Sequence, residues 1–385
     1  FELAYRAYRD PRYAWVLAEG EHRDTYHPVF GYTALTHGVP LGEVQPPDAS
    51  SKIFRSYGTG LVRGNETADY WNSNSPAVYI RTGAPQQGHH HSDTGNILLH
   101  AYGGYLYADI KRSWDYLVVK DPDTGRQLNS LRFTKRRIAH NTVSIDCAEP
   151  THPNQCQIYD IQRSGPMKIV TVSAKNEAIR RTIGITDEYV LDVVRVGKYV
   201  ESWRDTEHTF DYHLYGWGLP ELSGLDNLTP YTTLNEEYGL GPIDERSSAP
   251  GNQWIRPGES SCTDTDWQAV MREENPADPE APRGVRIIML GEEGTQVITG
   301  DVPKGVNNQG WDVTRQKGLH LDRLGLLMAR RQAVYTDFIV VHQPFMGAEP
   351  ESLEVSRNEH TVEVRTSNCR DTIDIQTMTC RRETV

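Results

Sequence analysis

From Lys52 onward the chain is written in short runs of β-branched and aromatic residues, each bounded by Gly, Asn, Asp or Pro. Residues 60–63, 77–81, 97–101, 105–110, 141–145, 168–173, 189–196 and 208–215 are such runs, followed by 285–290, 325–331, 337–343 and 361–365. Many alternate polar and apolar residues, the pattern of half-buried antiparallel strands. A dozen strands with no helices between them predict a mainly β fold, a large antiparallel β-sandwich.

Ahead of this region the character differs. Phe1, Leu3, Ala4, Ala7 and Tyr8 recur at helical spacing, and residues 13–18 predict a second short helix after the break at Asp10-Pro11. Pro40 to Pro47 reads as a linker. The expected organisation is a helical segment and linker over 1–50 and a sandwich over 51–385. Within the sandwich, 220–280 is rich in Pro, Asn, Ser, Asp and Glu and reads as a loop-rich insertion.

Composition narrows the function. The chain has 385 residues, with 40 Lys+Arg against 52 Asp+Glu and a formal net charge of -12. No broad basic field is available to displace counterions from phosphates, so nucleic acid is not an expected partner. An anionic sugar needs only a locally basic cleft, which this balance permits. No apolar run approaches the roughly 20 residues that cross a bilayer, so no membrane span is expected. The chain starts at Phe1 and shows no signal peptide, which reads as a processed chain or a piece of a longer one. Five cysteines form no CxxC pattern. Two pairings are open: Cys369 with Cys380 across a terminal hairpin, and Cys147 with Cys156 around a short loop. The odd count leaves at least one thiol over.

The densest chemical signal is Gly88-His89-His90-His91-Ser92-Asp93. On an extended strand His89, His91 and Asp93 share one face and His90 takes the other. Two imidazoles on one face begin a metal site, and further ligands must come from neighbouring strands. Asp109 ends the run 105–109 and His140 opens the run 141–145. His91, Asp109 and His140 together offer two nitrogens and one carboxylate, a set that suits zinc. Taken singly, each has a blander reading. Three consecutive histidines also make a solvated polar cluster, Asp109 a strand-end carboxylate and His140 a hydrogen-bonded core histidine. A cupin-like metal enzyme would also place HxH on a strand, but it would want a Glu about four residues on, where Gly95 and Asn96 stand.

These residues carry a resemblance. Gly88 to Asp93, Asn96-Ile97-Leu98-Leu99, Gly104 to Asp109 and Ala139-His140-Asn141-Thr142-Val143 together resemble the heparinase II/III-like polysaccharide lyases. The pattern there is a GHxHxD strand, an aliphatic strand, a glycine turn, a strand ending in Asp and a later AHNTV strand. The spacings from His91 to Asp109 (18) and to His140 (49) are most similar to the alginate and oligo-alginate lyase branch. Residues 57–63, 187–195 and 208–214 resemble further strands of the same sheets, so the resemblance spans roughly 50–345.

The resemblance implies an α/α-toroid preceding a β-sandwich, with an anionic polysaccharide in the cleft. The implied reaction is β-elimination at a uronate. One group neutralises the carboxylate, a base takes the C5 proton, and an acid protonates the departing O4. It implies that His89 faces the cleft as a catalytic group. It implies that His91, Asp109 and His140 hold a structural zinc bracing that strand. Asp93 matches an orienting Asp, and His90 occupies a slot usually filled by a small residue. Tyr116 is the nearest match to a second tyrosine. The resemblance also implies a secreted or periplasmic protein, with a homodimer possible.

The sequence departs from the pattern before the sandwich. One or two helices are too few for a toroid, and residues 1–50 hold no Asn-His motif of the toroid kind; Tyr26-His27 is an isolated pair. Arg132, Lys135, Arg136 and Arg137 precede His140 and would line an anion-binding cleft, or else form a solvated strand face. Trp114, Trp203 and Trp217 would stack on sugar rings, or fill the core. Three functions compete: a polysaccharide lyase or its β-half, a non-catalytic sugar-binding or structural sandwich with a zinc brace, and a cupin-like metal enzyme.

Overall fold

Along the strand Thr336–Met346, Phe338 and Val340 enter one core while Ile339 and Val341 enter another. The neighbouring strand Val190–Val196 does the same, with Val194 and Val196 on the first side and Leu191 and Val193 on the second. A period of two with both faces apolar puts these strands in the middle of a layered stack.

The computed structural model describes residues 1–19, 36–83, 91–109, 118–120, 127–129, 131–150, 156–174, 178–197, 205–240, 254–273, 280–303 and 323–385. These fall into two units, residues 1–50 with 65–74, and residues 51–64 with 75–385. The first unit holds the helices Glu2–Tyr8 and Pro11–Glu19. Proline opens the second helix at the position where its missing N–H costs nothing, and the Asp10 carboxylate accepts the Arg12 N–H at 2.9 Å. Trp15 and Trp71 pack with ring centroids 4.7 Å apart. No described helix is long and apolar enough to cross a membrane.

The second unit is an antiparallel β-sandwich. Its central sheet runs Gln162–Ser164, Met167–Ala174, Ile179–Ile185, Val190–Val196, Thr336–Met346, Arg283–Met289, Trp267–Arg272 and Glu221–Ser223, with Cys156–Ile158 paired beside Met167–Ala174. A second sheet runs Thr229–Tyr231, Arg256–Thr263, Thr295–Pro303, Arg323–Ala333, His208–Gly216 and Val143–Ile145. A third runs Lys52–Phe54, Thr59–Arg63, Ala77–Arg81, Ile97–Ala101 and Gly104–Tyr105. One face of the central sheet packs with both of these: Val194, Phe338 and Val340 meet Phe210, Tyr212 and Ala329, and Val78, Ile80 and Leu99. Its other face is covered by the C-terminal sheet of Leu353–Asn358, Thr361–Thr366, Cys369–Asp374 and Thr379–Thr384, through Val362, Val364 and Ile373.

Most of the expected strands stand within a few residues of their runs, while Ile179–Ile185, Thr295–Pro303 and the C-terminal strands Leu353–Asn358, Cys369–Asp374 and Thr379–Thr384 add to them. Three regions differ from the sequence reading. The described residues of 220–280 supply strands to two sheets: Trp267, Ala269 and Met271 alternate into the core, and Pro230 and Pro257 stand inside strands of the second sheet. Of the run 105–110, the described residues 106–109 form no strand beyond Gly104–Tyr105; Tyr107 makes an isolated bridge to Gly216. Residues 91–96 form a turn, not an extended strand, with the Asn96 N–H donating to the Asp93 carbonyl at 3.0 Å and Gly95 at φ 73°.

Neither disulfide pairing forms. Cys369 lies opposite Thr384 and Cys380 opposite Ile373, so the two thiols are offset by four residues along the hairpin. At about 3.3 Å per residue that is beyond any disulfide's reach. Cys147 sits against Asp211 and Arg330, and Cys156 against Thr94. All five thiols are free. Chain unfolded without reductant is therefore expected to react with five equivalents of a thiol reagent; three equivalents would mean one bridge.

Candidate functional site

Two asparagines tie the candidate residues together. The fully buried Asn96 accepts the Asn141 backbone N–H at 2.9 Å through Oδ1 and donates through Nδ2 to Asp109 Oδ2 at 3.2 Å. Asn141, equally buried, donates through Nδ2 to the carbonyls of Ile97 (2.9 Å) and Ala108 (2.8 Å). Its Oδ1 accepts the Tyr215 N–H at 2.7 Å. The residues just after His91, just before Asp109 and just after His140 are thus held by two amide side chains whose capacity is nearly all used.

His91, Asp109 and His140 meet as neighbours. The rings of His91 and His140 are 5.1 Å apart by centroid, and His140 Nδ1 lies 2.7 Å from Asp109 Oδ1. His140 is fully buried, while His91 and Asp109 are partly exposed. Burial pushes the His91 ring down to about 4, with the adjacent His140 adding to the shift. Burial would lower His140 too, but Asp109 outweighs it and the net direction is up. Burial would raise Asp109, but the charge and hydrogen bond of His140, with His91 and Arg81 adding to them, outweigh it and the net direction is down. Asp93 is fully buried and faces Arg81 at 2.6 Å; burial nonetheless pushes its carboxyl up.

His140 Nε2 is buried and makes no hydrogen bond. An imidazole whose Nδ1 faces a carboxylate and whose Nε2 is left over has the arrangement of a metal-ligating histidine. Among the described residues, however, no group of three His, Cys, Asp or Glu side chains is placed to hold a metal ion. As placed, Asp109 is turned to His140 Nδ1, where it orients the ring.

His89, His90, Tyr116, Trp114, Trp203, Tyr26 and His27 lie outside the described residues, as does the side chain of Arg132. Arg136 donates from Nη1 to the Tyr238 carbonyl at 2.7 Å. Arg137 is only 2% exposed, so its guanidinium presents no open face to a polymer. Lys135 contributes its carbonyl, which accepts the Ser92 N–H at 2.9 Å. Trp217 is half-buried and donates from Nε1 to the Tyr105 carbonyl at 2.5 Å.

Beneath the site lies a buried network that sequence reasoning missed. Arg181 Nη1 donates to the carbonyls of Gly95 (2.7 Å) and Asn141 (2.6 Å). Its Nε and Nη2 grip Asp192 at 3.0 and 2.5 Å. The Tyr212 hydroxyl donates to Asp192 Oδ2 at 2.8 Å, and Tyr107 and His342 Nδ1 are 2.6 Å apart. A signal was available: Asp192 is a lone charge inside the apolar run Val190-Leu191-Asp192-Val193-Val194, and such a residue needs a buried partner.

Neither a family model nor a curated protein matches the sequence. Solved structures do. A heparan sulfate lyase from Pedobacter heparinus matches with a TM-score of 0.50 and 13% identity over 92% of this chain and 45% of that one. A heparinase III matches with a TM-score of 0.51 and 12% identity, also over 92% and 45%.

Two outcomes follow from the geometry. Asn141→Ala strands two carbonyls and one N–H in the core and should cost about 3–5 kcal/mol in urea unfolding. His342 is held below its ordinary value by burial. Below about pH 6.5 the unfolded chain takes a proton that the folded ring refuses, so stability is full above that pH and falls as pH drops. Between pH 7.5 and 5.5 the parent should lose about 1 kcal/mol more than His342→Gln; equal losses would contradict a buried neutral ring.

The chain spans less than half the length of the structures it matches, and over that length it has the fold of heparinase-type lyases.

Proposed function

We propose that this chain is the β-sandwich part of a polysaccharide lyase that cleaves a uronate-containing anionic polysaccharide by β-elimination. The observation that carries the reading is the coincidence of two things. The fold is shared with a heparan sulfate lyase and a heparinase III, and His91 of the GHxHxD motif, Asp109 at the end of the following strand motif and His140 of the AHNTV motif are packed against one another.

In this reading the chemistry needs no nucleophile. A uronate carboxylate must be neutralised before the C5 proton becomes acidic, and His89 is the group assigned to that face of the cleft. A tyrosine delivers or accepts the second proton; Tyr116 is the candidate within this chain, and the toroid supplies the main one in proteins of the resembled pattern. The turn at Asp93–Asn96 follows His91 directly and anchors it beside His140. Gly95 is required there, because its φ of 73° disfavours any side chain and its carbonyl must reach Arg181. Zinc on His91, Asp109 and His140 belongs to the proposal and is supported by the buried, unbonded Nε2 of His140. When bound it would brace these segments. The implied setting is outside the cytoplasm, where such polymers occur.

The test is an ultraviolet assay for unsaturated uronate over alginate, heparan sulfate, chondroitin sulfate, hyaluronan and ulvan, with metal content measured on the same sample. The expected result is product from one polymer class, a loss of at least about 100-fold in His89→Ala, and zinc that disappears in His140→Ala. No product from any polymer, with zinc bound, would overturn catalysis by this chain and leave a braced sugar-binding scaffold. Product without metal would overturn the zinc assignment alone.

A further inference from the structure

Arg181 turns to one face of the central sheet; its neighbour Arg180 turns to the other, where it lines a cavity of about 90 Å³ with Thr182, Arg195, Thr171 and Tyr159. The cavity forms where the turn after Cys369–Asp374 closes over the sheet. Arg195, 8% exposed, holds that turn by donating from Nη2 to the Ile375 carbonyl at 2.6 Å. Asp374 shapes it by accepting the N–H groups of Gln376 and Thr377 at 2.9 and 2.8 Å.

The charges around this cavity do not balance. Arg180 and Arg195 are direct partners across two antiparallel strands, a position in which like charges repel. Arg195 is offset by Asp337 at 3.4 Å. Asp160, at the rim, is taken by Arg55. Arg180 is exposed, and its guanidinium makes no ion pair or hydrogen bond among the described residues. A surplus positive charge thus borders a solvent-open cavity in a chain whose net charge is -12. The rest of the lining is neutral and hydrogen-bonding. Thr171 and Thr182 share a hydroxyl contact of 3.0 Å, and Gln162 and Gln376 add amides, while Ile169 and Met378 give an apolar wall. The volume has room for several waters, the size of one charged end of a sugar, not a polymer.

We infer that this cavity is a second binding site, for the carboxylate or sulfate of a single sugar unit, with Arg180 as the anion contact. The guanidinium fork matches either oxyanion, and the hydroxyls and amides match the ring hydroxyls beside it. The central sheet separates this site from His91 and His140, so the inference does not rest on the lyase reading and survives that reading's failure.

Calorimetric titration of the full chain with glucuronate, glucose 6-sulfate, inorganic sulfate and glucose tests it, in parent, Arg180→Ala and Arg180→Glu. Arg180 is exposed, so neither variant removes a core contact. The expected result is binding of the two anionic sugars at least tenfold tighter than glucose. That binding should weaken at least tenfold in Arg180→Ala and vanish in Arg180→Glu. Equal affinity in parent and Arg180→Ala would overturn the site. Inorganic sulfate binding as tightly as glucose 6-sulfate would overturn the sugar assignment, because the hydroxyl-lined wall would then contribute nothing.

Discussion

The buried ion pair of Arg181 and Asp192 is the constraint on which the candidate site depends. Taking both charges out of water costs several kcal/mol per ion before their attraction is counted. That cost is offset only because every remaining group finds a partner: Arg181 reaches two backbone carbonyls, and Asp192 also accepts the Tyr212 hydroxyl. The two carbonyls belong to Gly95 and Asn141, which flank the histidine turn and follow His140. The pair therefore joins the central sheet to the two segments that carry the candidate ligands, and neither segment can shift without uncovering a charge.

Directionality explains why polar groups do this work in so apolar a core. Valine and isoleucine hold the layers together, but their contacts are indifferent to small sliding. Hydrogen bonds from Asn96, Asn141 and Arg181 are not. A displacement of a fraction of an ångström at three sites would forfeit several buried bonds at once. The His91, Asp109 and His140 cluster inherits its position from that intolerance.

Much of the layer structure was legible from alternation alone. Residues 337–343 read as a strand from their β-branched and aromatic run, and the structure shows Phe338 to Val341 alternating between two cores. Alternation misleads where the backbone is not extended. His89, His91 and Asp93 were assigned one strand face, yet His91 to Asn96 is a turn held by Gly95 and its distant partner Arg181. Pro and Asn in 220–280 advertised loops, yet Pro230 sits in an edge strand and Pro257 at a register shift within its strand, positions where the missing N–H is tolerated. The Cys369–Cys380 pairing was plausible by separation in the chain and is excluded by strand register, which separation does not report; Cys147 and Cys156 are turned to different neighbours.

By itself the sequence determined the mainly β class, many of the individual strands and the chemical types at the site, because period-two hydrophobicity and residue identity are local properties. Only the tertiary structure decided which groups meet: Arg181 with a carbonyl 86 residues earlier, Arg180 with an open cavity on the opposite face, and Cys369 with no partner cysteine. Such meetings depend on strand register and layer order. These are set by the sum of many long-range contacts, and no single stretch of chain encodes them.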